Sequence, residues 1–183
     1  MNLREQLIQE ITSAFATVER GAGLTLHEAV TFEGNDYWTA AERARVRALD
    51  PETRWQDIPD SALEECEDRW ACDEAGFRYH LPAYMRWHLR HPHGLAPHHG
   101  GLLYWSLSLR DQKLKDRARW ERSWDKYSLQ QKRAIARFLE FMAREAAQLG
   151  HPPHIAELAD VAWKSYWFKF KSAGSNCMTK SQP

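Results

Sequence analysis

The residues best suited to chemistry in this chain are five histidines crowded into residues 88–99: His88, His91, His93, His98 and His99. Neutral imidazole is the commonest metal ligand, and zinc takes three or four such donors, with or without a carboxylate. His88 and His91 are three apart and share a face if a helix runs through them. His98 and His99 lie in a glycine- and proline-rich stretch that can fold back on them. The set matches no common zinc spacing, because it has neither His-Glu-x-x-His nor paired Cys-x-x-Cys. A solvated histidine-rich loop explains it without a metal. Zinc on these five residues, as a binding module or a metal-dependent hydrolase, is the alternative reading.

The second concentration is acidic: Asp60, Glu64, Glu65, Glu67 and Asp68. General acid–base catalysis needs carboxylates in contrasting environments. Glu64, Glu65, Glu67 and Asp68 sit on one solvated helix face and share one environment, which predicts a partner-binding surface, or plain solvent exposure, and no catalytic pair. The wider charge pattern agrees. Residues 50–76 hold ten acids against Arg54 and Arg69, a balance of −8. Residues 110–171 hold fourteen Lys and Arg against eight acids, a balance of +6, within a chain of zero net charge. Such a dipolar molecule either steers toward a charged partner or pairs its own two halves.

Other chemistry has less support. There is no Gly-x-Ser-x-Gly elbow and no phosphate-cradling loop. Cys66, Cys72 and Cys177 are odd in number and widely spaced, which predicts a reducing, cytoplasmic setting and no disulfide framework. Acids beside Cys66 and Cys72 raise a thiol's pKa and blunt it. Trp120 and Trp124, with Arg117, Arg119 and Arg122, would suit stacking on nucleotides. Interleaved Asp116, Glu121 and Asp125 point instead to a salt-bridged helix, so nucleic-acid binding is the third reading. No catalytic residue is assigned, and the chain reads as a non-enzyme.

The elements that would position these groups are mostly helices. Leu3, Leu7, Ile8, Ile11, Phe15 and Val18 have helical spacing, and the helix stops at Gly21-Ala22-Gly23. Thr25 with Glu28, Thr39 with Glu42, and Ser128 with Gln131 each form a capping box. They open helices through about Phe32, to Leu49, and from Leu129 to about Leu149, the last with Leu129, Ile135, Phe138, Leu139 and Met142 as its stripe. Pro59 starts the acidic helix, expected to reach about Ala71 with Leu63, Cys66 and Trp70 inward. Phe77, Tyr79 and Leu81 alternate with Arg78 and His80, which predicts a short strand over 77–81, with a helix restarting at Pro82. The apolar run 102–109 leans to strand. Trp120, Trp124 and Tyr127 share a helical face, and a last helix follows Pro152-Pro153 to about Lys171. The nine tryptophans predict a core of large rings more than an aromatic binding surface.

The expectation is a mainly α fold: a single compact multi-helix domain over 1–171 and a disordered tail over 172–183. No apolar run is long enough for a membrane span, and the N-terminus lacks the apolar core of a signal peptide.

Trp55-x-x-Ile58-Pro59 followed by Gly76-Phe77-Arg78-Tyr79-x-Leu81-Pro82-Ala83-Tyr84-Met85, with Thr25-Leu26-His27-Glu28-Ala29 before them, resembles a small bacterial family of unknown function. The likeness covers residues 5–145 and leaves the final helix as a feature of this chain. In style such proteins are similar to antitoxins or immunity proteins of bacterial competition systems. That resemblance implies a protein that binds and neutralises a toxin, without a cofactor. Asp60, Glu64, Glu65, Glu67 and Asp68 would dock on a basic toxin domain.

Overall fold

A computed structural model describes residues 2–32, 39–66, 73–91, 101–109 and 114–171. Nine helices run through them: α1 (Leu3–Ala14), α2 (Leu26–Phe32), α3 (Ala40–Arg47), α4 (Asp60–Cys66), α5 (Glu74–Arg90), α6 (Gly101–Ser106), α7 (Leu114–Ser123), α8 (Leu129–Glu145) and α9 (Pro153–Ser165). Short 3-10 turns occupy Trp55–Asp57, Trp124–Lys126 and Trp167–Phe170. No strand occurs among the described residues, so the fold is mainly α. The tail, 172–183, lies outside them.

Local signals decide where most helices begin. In all three expected capping boxes the side chains close reciprocally, Thr25 with Glu28, Thr39 with Glu42 and Ser128 with Gln131. Each satisfies helix-end amides that would otherwise lack a partner. A fourth box, Asn2 with Glu5, starts α1. That helix ends at Ala14, earlier than its apolar spacing suggests. Phe15 and Val18 stay buried in the turn that follows, and the Phe15 carbonyl there accepts the Trp55 indole N–H at 2.8 Å.

Both expected strands are helices. Residues 77–81 fall inside α5, which starts at Asp73, whose carboxylate accepts the Gly76 amide at 2.8 Å. Their alternation misleads because α5 is buried on nearly every side: Tyr79, His80, Leu81, Pro82, Ala83, Tyr84 and Met85 are all interior. A helix enclosed all round loses its amphipathic signature. Pro82 lies within α5 rather than at its start, at the cost of one backbone hydrogen bond. Residues 101–106 form α6, with Leu103, Tyr104 and Leu107 inward and Leu102 and Trp105 outward. The Tyr104 ring stacks on Phe138 of α8 at 6.1 Å.

One continuous apolar core joins the elements. α8 packs along α9 and the 167–170 turn, and α6 covers α9. α1 bridges α8 to α5, and α5 meets α4 and the Trp55 turn. α2 rests on α3 and α4. Trp55, Trp87 and Trp167 are fully buried and Trp124 is 3% exposed, so these rings are core. Leu3 and Leu129, expected to face inward, are 52% and 54% exposed; each is the first residue of its helix. No helix among the described residues is long and apolar enough to cross a membrane.

Candidate functional site

α4 presents the acidic face. Leu63 and Cys66 point into the core, which leaves Asp60, Glu64 and Glu65 on the outer side, where the latter two are exposed. Glu67 and Asp68, with Trp70 and Cys72, lie outside the described residues.

Histidines from two neighbouring helices reach this face. His91, at the C-terminus of α5, places Nε2 2.7 Å from the Asp60 carboxylate, with its ring against Trp87 at 6.0 Å. His27, in the first turn of α2, approaches Glu65 with Nε2 at 3.8 Å. The other ring nitrogen of His27, Nδ1, is 2.7 Å from Oδ1 of Asp50. Oδ2 of Asp50 accepts the His27 backbone amide at 3.0 Å. Asp50 is 4% exposed, and both terminal nitrogens of Arg20 donate to its carbonyl at 3.3 Å. A buried carboxylate therefore holds His27 by ring and backbone at once, and also serves a free amide at the start of α2.

Cys66 is a buried free thiol. Burial, then the charges of Asp50 and Glu65, push its pKa up to about 12. That protonated sulfur is no nucleophile at neutral pH.

The five-histidine set divides. His88 is fully buried, edge-on to Trp87 and Tyr104 and stacked on His151 at 6.1 Å, and its carbonyl contacts His151 Nε2 at 3.1 Å. His91 belongs to Asp60 on the surface. His93, His98 and His99 lie outside the described residues. Among the described residues no group of three or more His, Cys, Asp or Glu could hold a metal ion.

The tryptophans of the basic half serve the interior. Trp124 packs edge-on against Trp120 at 5.3 Å and Trp167 at 4.7 Å, and the Trp120 indole donates to the Ser106 carbonyl at 3.4 Å. Arg117 pairs with Glu121 one turn on, at 3.1 Å. The groove between α1 and α8, lined by Gln6, Gln9, Glu10, Ser13, Gln130 and Arg137 among others, contains no histidine or cysteine.

The ion pairs show how the two charged halves relate. Within the basic half, Arg144 and Lys171 both reach Glu140, and Lys164 reaches Asp160. Arg137 turns to Glu10 of α1. Among the described residues one pair, Lys126 with Glu74 at 2.8 Å, joins the basic half to the acidic segment 50–76.

Sequence spacing does not reveal the His27–Asp50 pair, because the partners are 23 residues apart. Asp50 reads locally as the end of a helix before Pro51, and His27 as the interior of a capped one. No proximity rule links them.

The Trp55-x-x-Ile58-Pro59 stretch is structural. Arg86 lies over the Trp55 ring at 5.0 Å and donates to the Gln56 carbonyl at 2.8 Å. Gly76 is structural as well: a Cβ there would meet the Leu24 carbonyl oxygen at 2.6 Å. No curated protein and no solved structure matches the chain. A family model does, and it runs through α9 and the 167–170 turn, so the final helix is shared and not peculiar to this chain. With residues 3–171 matched, the chain belongs to DUF6714, a family of unknown function.

Proposed function

We propose that this protein is a non-enzymatic binding protein that captures a basic protein partner on the outer face of α4. The resemblance in style to immunity proteins makes a bacterial toxin domain the partner of choice. One observation carries the reading: the outer face of α4 exposes Glu64 and Glu65 away from the basic half. Glu64 and Glu65 meet no Lys or Arg among the described residues, and a single ion pair, Lys126–Glu74, links this segment to the basic half. Uncompensated surface charge of one sign accelerates association with a partner of the opposite sign and sets its register. The absence of a reactive nucleophile at Cys66 fits the same reading.

The test pairs the purified protein with the product of the adjacent gene. A complex whose association rate falls with added salt, and protection of cells from that product, support the proposal. No complex and no protection remove it.

A further inference from the structure

A cleft between α5, α6, α7 and the Trp124–Lys126 turn is walled by aromatic rings. Its volume is about 270 Å³, near the small end of ligand pockets, which run from about 300 Å³ upward. Trp124 and Tyr127 are buried at its base, and half-buried Phe77 and Trp120 form its sides. The rings do not lie parallel. Phe77 stands at 74° to Trp124, Trp120 at 64° and Tyr127 at 50°, so together they surround a space. The Trp120 indole is held in this pose by its hydrogen bond to the Ser106 carbonyl. Arg78 lies over the Tyr127 ring at 5.6 Å, so that ring already draws a cation. Among the described residues that line the cleft, Glu74 alone is charged. It stands at the edge, 48% exposed, with Oε2 2.8 Å from the Lys126 ammonium.

We propose that this cleft is an aromatic cage for a trimethylammonium group. Aromatic faces carry negative charge density, and that of tryptophan attracts cations most strongly. Rings inclined about one small space, with a carboxylate at the edge, therefore suit a cation. The hydrogen-bonding capacity of the lining selects its kind. An ammonium brings three N–H donors and a guanidinium five. The lining offers them a carboxylate already engaged by Lys126 and the oxygens of Ser106 and Ser123. A trimethylammonium group brings no donor at all, so ring faces replace its water without leaving a polar hydrogen unpaired. The shared chemistry is that headgroup, carried either by a free compound of the choline type or by a trimethylated lysine side chain. The cage is separate from the α4 face and does not depend on the function proposed for it.

The experiment titrates the full chain with choline, with a short peptide carrying Nε-trimethyllysine, and with 3,3-dimethylbutanol, the uncharged carbon analogue of choline. Binding is read by calorimetry and by shifts of the indole N–H resonances. The expected result is one equivalent of choline or of the peptide bound with a Kd of about 1 mM or below; the tighter of the two identifies the source of the headgroup. The carbon analogue has the same shape without the charge and binds about tenfold or more weakly. Glu74→Gln removes the negative charge at the edge, leaves Lys126 unopposed, and weakens binding about threefold or more. Trp120→Phe keeps a ring of lower charge density and weakens it likewise. Binding of neither choline nor the peptide, equal affinity for 3,3-dimethylbutanol, or an unchanged Kd in either variant each overturns the proposal. The comparison with the carbon analogue uses the wild-type chain, so it decides the matter even where a variant fails to fold.

Discussion

Acidification is expected to destabilise this fold through His80. The ring lies in the middle of α5, 1% exposed, edge-on to Tyr79 at 5.1 Å. Burial first, then the Arg20 guanidinium, push its pKa down to about 4, against weaker opposition from Asp50, the Gly76 backbone and Asp73. In the unfolded chain a histidine titrates near ~6.5. Above that pH the ring is neutral in both states, and the stability is fully present. Between the two values the unfolded chain binds a proton that the folded chain refuses, so stability falls as the pH falls. A gap of roughly 2.5 units at about 1.4 kcal/mol each makes about 3–4 kcal/mol, fully lost below the folded value. The assay is urea unfolding followed by tryptophan fluorescence at about pH 7, 5.5 and 4.5, on the wild type and on His80→Gln. The glutamine retains a polar side chain but does not titrate. Carboxylates titrate in both proteins and cancel in the difference. The wild type is expected to lose about 2 kcal/mol more than the variant across that range, the rest coming only below about pH 4. Parallel stability curves for the two proteins would refute the reasoning.

Three further outcomes follow from particular contacts. Asp50→Ala removes two charge-assisted hydrogen bonds to His27 and is expected to cost about 3 kcal/mol, at about 1.5–3 each before relaxation; a loss below ~1 kcal/mol in urea unfolding would show that His27 is not anchored there. Gly76→Ala forces a Cβ against the Leu24 carbonyl oxygen at 2.6 Å, where backbone and not a flexible side chain must shift. It should lower stability by about 1–3 kcal/mol, and an unchanged Tm would contradict that close approach. Glu64→Lys with Glu65→Lys should leave stability within about 0.5 kcal/mol while slowing capture of a basic partner in stopped-flow measurements. An unchanged association rate would place the docking face elsewhere.

Wherever a signal is local, it is legible in the chain. Three capping boxes and the stripe of α8 depend on residues within a turn or two of one another, whereas the helix stop read at Gly21–Gly23 comes too late, since α1 ends at Ala14. The acidic face of α4 is legible for the same reason: Asp60, Glu64 and Glu65 need only helical spacing to share a side. The α5 segment is not legible, because its surroundings come from α1, α4 and the Trp55 turn. Once a helix is enclosed by neighbours, its own sequence has no polar side left to mark the period.

The sequence alone determined a helical chain with an acidic shoulder, a basic second half and a core of large rings, since composition and short-range spacing suffice for those. Only the tertiary structure decided that His27 is held by Asp50, that His91 turns to Asp60 while His88 is buried against Tyr104, and that Lys126–Glu74 spans the charged halves among the described residues. The physical reason is distance along the chain. Pairing of ionisable groups depends on which helices pack together, and that choice is made by apolar burial over the whole core, not by the charged residues that it brings face to face.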